Sequence, residues 1–302
     1  MQRKIFADLH NHSTLSDGEF TPEELIGKAK SLGLKAIAVT DHDTIEGLKT
    51  AIDSGEKQGI EVIPGTEISI RFKKPFFTGT LHLLCYFSPD MLYDKEFTAE
   101  MNLALSRGRG EALVRARICE INRFFGPKGK TPLLMRDMEF EHIAELSQNA
   151  TRRHFARALK ETFGIKDDQT VHVVLGNDSP AYLPSGTGLE YVQGMIRKKG
   201  VLCALAHPAA GSFPGKGHYK EVLPPLDIVL QILPEFLDAG IRGLEVYYPG
   251  HTKEHRDLLK SLADRHHLLI TGGSDCHDGM DRPTGVEGLT ESEYQKFKAA
   301  LI

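Results

Sequence analysis

Within its first forty-three residues the chain passes from one apolar run, "KIFADLHNH", through a capped amphipathic stretch into a second, "KAIAVTDHD". Thr21 and Glu24 form a capping box around Pro22, then Leu25, Ile26, Ala29 and Leu32 recur at helical spacing, and Gly33 ends the helix. A strand, a helix and a second strand in so short a span form a βαβ unit, which implies parallel strands with helices outside them. Five further strand-length runs follow: "VIPGTEISI", "LHLLCYF", "VLCALAHP", "GLEVYYPGH" and "LLITGGSDCH". Amphipathic helices over 45–58, 225–239 and 252–266 lie near them. Seven strands alternating with helices point to the α/β class and to a parallel sheet, and 302 residues suit one large domain or two smaller ones.

Residues 95–195 break this rhythm. They hold the helix-like stretches "RGEALVRARICEINRFF", "MRDMEFEHIAELSQ" and "TRRHFARALKETFG" and no convincing strand. The expected division is a barrel from 1–94 and 196–302, with 95–195 inserted between the fourth and fifth strands as a mostly helical, substrate-selecting wall.

With 37 basic and 41 acidic residues the net charge is −4, which argues against a chain that coats nucleic acid. The start, "MQRKIFADLH", is too polar for a signal peptide, and no run approaches the roughly 18 to 20 apolar residues of a membrane span. A soluble, cytoplasmic protein with no membrane association and no obligate protein partner is expected. Cys85, Cys119, Cys203 and Cys276 form no C-x-x-C pair, so neither a disulfide framework nor a thiolate zinc site is indicated.

The 14 histidines carry the functional signal, because several sit at the ends of the apolar runs. His10 and His12, one residue apart on a strand, project to the same side and can reach one cation. Asp275 and His277 repeat that spacing, and Asp41 and His42 close the second strand. Glu67 lies inside an apolar strand, where a carboxylate is costly without a partner. His82 and His207 stand at similar apolar-to-polar transitions, and Asp17 follows His12 closely. In parallel α/β folds the strand ends gather on one face, so these residues converge. They exceed what one cation needs, and imidazole with carboxylate but no thiolate suits Zn²⁺, Mn²⁺ or Fe²⁺.

The segments "DLHNHSTLSDG", "AIAVTDHDT", "PGTEIS", "LHLLCY", "ALAHP" and "GGSDCH", in this order, resemble the polymerase and histidinol phosphatase (PHP) family of metal-dependent phosphoesterases. The resemblance implies a distorted (β/α)7 TIM-like barrel and two or three divalent ions. It implies that His10, His12, Glu67 and Asp275 hold a first metal, that Glu67 bridges to a second held by His82 and His207, and that Asp17, His42 and His277 hold a third. Asp41 would orient a ligand or its neighbours, and Glu245 has no consistent role. Cys276 stands where the family often has an aromatic, and a packing role is expected for it.

The chemistry expected is hydrolysis of a phosphate ester by a metal-bound hydroxide; no nucleophile elbow and no G-x-x-x-x-G-K-[ST] loop is present. Arg152, Arg153 and His154, at the start of a helix, are candidates to receive a phosphate. The segment resembles the family branch that acts on nucleotides, including 3′,5′-bisphosphate nucleosides and short RNA ends. Tyr247, Tyr248 and His251 are further candidate substrate contacts. Arg107, Arg109, Arg115, Arg117 and Arg123 could guide an oligonucleotide toward the site, but the interspersed Glu111 and Glu120 favour an ordinary charged helix face. The alternatives are a histidinol phosphate phosphatase and a non-catalytic metal-binding module.

Overall fold

The computed structural model describes residues 3–147, 150–215 and 223–301. Seven strands lie in one sheet in chain order: β1 (Ala7–Asp8), β2 (Ala36–Val39), β3 (Glu61–Lys74), β4 (Phe77–Phe87), β5 (Val201–Leu205), β6 (Gly243–Tyr247) and β7 (Leu269–Gly272). The outer edges approach each other, with Leu9 N–H donating to Gly272 O (3.2 Å) and His12 N–H to Cys276 O (2.9 Å). The sheet is thereby nearly closed into a barrel.

The helices are α1 (Pro22–Ser31), α2 (Leu48–Gln58), α3 (Lys95–Ser106), α4 (Glu111–Phe125), α5 (Glu141–Ala144) and α6 (Arg152–Glu161). They continue with α7 (Asp168–Leu175), α8 (Leu189–Ile196), α9 (Leu226–Ala239), α10 (Lys253–His266) and α11 (Glu291–Leu301). In α1 the Thr21 hydroxyl accepts from Glu24 N–H while the Glu24 carboxylate accepts from Thr21 N–H, the reciprocal pair that its sequence demands. Leu25, Ile26 and Ala29 on its inner face are fully buried, and each leucine or isoleucine so placed contributes about 2 kcal/mol. "MRDMEFEHIAELSQ" forms only the single turn α5, and its Gln148 lies outside the described residues. Among the described residues no helix is long and apolar enough to cross a membrane.

The sheet is mixed, not parallel. β1 to β3 run parallel, as do β5 to β7, but β4 is antiparallel to both neighbours. β3 and β4 extend well past "VIPGTEISI" and "LHLLCYF" and leave only Pro75 and Phe76 between them, and a two-residue link joins only antiparallel strands. The reversal serves the site. His82 pairs with Ser69, two residues beyond Glu67, so the early half of β4 lies where the parallel strands finish.

Two hydrophobic clusters divide the interior. The larger fills the barrel and includes Phe97, Met101 and Leu105 of α3 with Val192, Met195 and Ile196 of α8. The smaller, including Val114, Ile118, Ile121, Phe125, Phe155, Leu159 and Val174, belongs to the helices between them. α3 and α8 pack against each other, and the chain leaves and re-enters this pair at a narrow neck. There Gly186 N–H donates to Gly108 O at 2.9 Å. Gly186 has φ 107°, and a Cβ on Gly108 would stand 2.3 Å from the Gly186 carbonyl carbon, an approach only glycine permits.

Candidate metal centre

The wholly buried carboxylate of Glu67 faces five imidazoles. Its Oε2 lies 3.2 Å from His10 Nε2, from His12 Nε2 and from His42 Nδ1. Its Oε1 lies 3.0 Å from His82 Nδ1 and 2.9 Å from His207 Nε2. Oε2 nonetheless accepts no hydrogen bond. A buried carboxylate oxygen ringed by imidazole nitrogens is costly unless a cation lies among them, and the donor set fits one.

Among the described residues, three groups have ligand atoms close enough to share an ion: His10, His12, Glu67 and Asp275; His42, Glu67 and His82; and His12, Asp17, His42 and His277. His42 and His12 each belong to two of them. His207 joins the second group through Glu67 Oε1 and His82 Nδ1, the latter at 3.4 Å. Asp17 Oδ1, at 3.3 Å from His277 Nε2, also accepts no hydrogen bond.

The surrounding residues fix which atoms face inward. Glu245, left without a role by the sequence, sets its Oε1 3.0 Å from His10 Nδ1 and accepts the His207 N–H on Oε2 at 2.7 Å. It thereby aims His10 Nε2 at Glu67, the carboxylate–imidazole pairing that orients metal-ligating histidines. His277 Nδ1 donates to Asp275 O (2.9 Å), and Arg282 Nη1 occupies Asp275 Oδ2 (2.8 Å), leaving Oδ1 toward His12. Asp41 accepts from Ser13 N–H, Ser13 Oγ and Ser16 Oγ at 2.6–2.7 Å, bracing the loop after His12. Asp8, which drew no attention in the sequence, accepts from Ser274 N–H, Gly285 N–H and Thr284 Oγ1 and ties that loop to β1. His207 and Asp275 have φ of 25° and 50°. Non-glycine residues held there cost on the order of 1–3 kcal/mol each and cluster at functional sites.

Burial opposes charge on His12, but its hydrogen bond to Asp275 and the negative charges of Glu67 and Asp275 outweigh it and push its pKa up to about 10. His10 is likewise raised well above its ordinary value, burial being overcome by Glu67, Glu245 and Asp275. Conversely, burial would raise Glu67, Asp17 and Asp275, yet the neighbouring imidazoles hold all three well below the carboxylate range. Burial drives His42 down to about 3, so it is neutral. Metal ligands bind as neutral imidazoles, so a cation taken up by His10 and His12 would displace protons from them. Divalent-metal affinity should therefore rise with pH through neutrality toward the His12 value. Calorimetry in two buffers of different ionisation enthalpy should show net proton release; no release, or tighter binding in mild acid, would contradict this.

A cavity of about 410 Å³ opens over the centre. The barrel lines it with His42, Glu67, His82, His207, Asp275 and His277, and the inserted helices line it with Arg109, Arg117, Arg152, Arg153 and Tyr182. Arg152 Nη2 donates to Asn177 Oδ1 (2.8 Å), and Arg117 donates to Leu183 O from both Nε and Nη2 (3.2 and 3.1 Å). Burial lowers Arg117 to about 10, still a cation at neutral pH. An ordinary charged helix face therefore describes only part of this arginine set. Arg115 and Arg123 do pair with Glu111 and Glu120 on the surface, but Arg109 and Arg117 turn into the cavity. His154 turns back to cap α6, its Nδ1 accepting from Thr151 N–H at 3.0 Å. Tyr248 is wholly buried, its ring 5.4 Å from that of His207. His251 is buried, with Nε2 accepting from Ala209 N–H and Nδ1 3.0 Å from Val246 O, so it braces the loop after His207. Tyr247 stacks under Arg3 and donates to Glu293, on the far side of the sheet's last strands.

The sequence model of the PHP domain family matches residues 8–163, just over half of the chain. This chain belongs to the PHP family. It is a metal-dependent phosphoesterase of that family, and the buried His, Glu and Asp groups are its metal site. A relative from Eggerthella lenta, phosphoribosyl 1,2-cyclic phosphate 1,2-diphosphodiesterase, is 28% identical over 92% of this chain and 96% of its own. The 3′,5′-nucleoside bisphosphate phosphatase of Chromobacterium violaceum is 28% identical over 89% of this chain and 86% of its own. A 5′-3′ exoribonuclease of Haemophilus influenzae is 28% identical over 89% of both chains. The crystal structure of a proposed metal-dependent phosphoesterase from Bifidobacterium adolescentis shares the fold, with a TM-score of 0.72 over 97% of this chain and 96% of that one at 24% identity.

Proposed function

We propose that the protein hydrolyses phosphate monoesters of nucleotides, 3′,5′-bisphosphate nucleosides foremost, or of short RNA ends. In this reading His10, His12, Glu67 and Asp275 hold one divalent ion, Glu67, His82 and His207 a second, and Asp17, His42 and His277 a third. Bound there, Mn²⁺, Zn²⁺ or Fe²⁺ would polarise phosphoryl oxygens and lower the pKa of water.

The observation that carries the reading is the shared cavity, with the candidate metal ligands on the barrel side and arginines on the inserted side. A monoester with one phosphate needs charge at one point only. Guanidinium groups already fixed by Leu183 O and Asn177 Oδ1 offer preset donors to a second phosphate or to a nucleotide backbone. The relatives from C. violaceum and H. influenzae support nucleotide chemistry of this kind.

The test is a panel of nucleoside monophosphates and bisphosphates, short RNA, a ribosyl cyclic phosphate and histidinol phosphate, assayed with the Mn²⁺-loaded protein. Bisphosphates or RNA ends should be preferred. Release from histidinol phosphate alone would replace this reading, and no turnover of any ester with Mn²⁺, Zn²⁺ or Fe²⁺ would leave a metal-binding module. Arg152→Ala should raise KM for a bisphosphate roughly tenfold with little change in kcat, since a charged hydrogen bond made equally in ground and transition states is lost. An unchanged KM would remove Arg152 from substrate binding.

A further inference from the structure

Thr151, the N-cap of α6, reaches from the inserted helices into the ion site. Its hydroxyl donates to Asp17 Oδ2 at 2.8 Å and accepts from Arg153 N–H at 3.2 Å. Asp17 is almost fully buried, and its other oxygen, Oδ1, faces His277 without a hydrogen bond. One hydroxyl therefore both starts the helix that presents Arg152 and Arg153 to the cavity and holds the carboxylate that closes the third ligand group. A second link lies close by. Arg153 Nη2 stands 3.6 Å from Asp278 Oδ2, while Asp278 Oδ1 accepts from the N–H groups of Met280, Asp281 and Arg282. That loop follows His277 directly, and its Arg282 grips Asp275.

We infer that Thr151 is a positioning residue that couples the Asp17–His42–His277 ion to the substrate-binding start of α6. The inference rests on the reading of those three residues as ligands. A hydroxyl that pins one carboxylate oxygen leaves the other aimed inward, and losing such a partner commonly lowers metal affinity by roughly ten- to a hundredfold. By linkage, whatever fixes α6 favours the ion, and the ion in turn fixes α6. Occupancy of the third position then prepares the arginine wall for substrate.

The experiment compares wild type, Thr151→Val and Thr151→Ser, with Mn²⁺ as the probe. Two quantities are read without turnover: the stoichiometry and affinity of each Mn²⁺ equivalent by calorimetry with elemental analysis, and amide hydrogen exchange over 152–156 with and without Mn²⁺. In wild type the weakest Mn²⁺ equivalent should slow exchange at the start of α6. In Thr151→Val that equivalent should bind roughly tenfold more weakly, and exchange should no longer respond at Mn²⁺ concentrations that saturate wild type; Thr151→Ser should restore both. A role as a helix cap alone would quicken exchange with or without Mn²⁺ and leave every affinity unchanged, which overturns the inference. Wild-type protein that binds two ions and no third also overturns it, while the phosphoesterase reading stands. Protein that binds none overturns both.

Discussion

Glu67→Gln is expected to strip most of the bound metal and to lower turnover about a thousandfold. The carboxylate meets five imidazoles drawn from four places in the fold: His10 and His12 after β1, His42 after β2, His82 on β4 and His207 after β5. An amide of the same shape keeps the packing but removes the charge that two ligand groups share. Cations in such sites supply several kcal/mol of charge stabilisation, and about 4 kcal/mol corresponds to about a thousandfold in rate. The lost charge also acts on the rings, because Glu67 helps hold His10 and His12 above their ordinary pKa. Elemental analysis, kcat and thermal melting on the same preparation check the result. A folded variant with wild-type metal content and turnover would sink the assignment.

Glu245→Gln should produce the next largest effect, a fall of roughly ten- to a hundredfold in metal affinity with a parallel loss of activity. The carboxylate has a separate oxygen for His10 Nδ1 and for the His207 N–H. A glutamine has one such oxygen, so its amide N–H₂ must oppose a donor and one buried group loses its partner. Either way a ligand is released. If His10 turns, its Nε2 leaves Glu67; if the amide opposes His207, the backbone held at φ 25° relaxes. Excess Mn²⁺ should recover part of the activity, as expected when affinity and not chemistry is impaired. Wild-type affinity in this variant would show that Glu245 merely fills space.

The candidate ligands were legible because they interrupt apolar, strand-length runs, where a His, Asp or Glu must have a reason to be. What supports them was not, since it depends on which distant segments meet. Asp8 looks like one more polar residue until Ser274, Thr284 and Gly285 are seen around it. Glu245 lies within a strand whose alternation says only that it points inward or outward. Thr151 resembles any other helix cap. Other signals were present but passed over. "KKPFF" is too short a link for parallel strands, and its turn reverses β4. Arg117 falls within the buried stripe formed by Val114, Ile118 and Ile121, which should have separated it from Arg115 and Arg123 on the solvent side. Conversely, Tyr248 and His251 lie near a strand end, yet both are buried.

The pinched neck at Gly108 and Gly186 makes the helices between them a cassette. Its two ends already stand within one hydrogen bond of each other, so a different segment, longer or shorter, can be spliced there without stretching α3 or α8 or moving any strand. On the proposed function, substrate preference and metal chemistry could then drift at separate rates, one by exchange of the cassette and the other by point changes in the barrel. Thr151 and Arg153 tie the cassette back to the barrel through Asp17 and Asp278, contacts that an exchanged segment would lose unless it brought its own hydroxyl and cation.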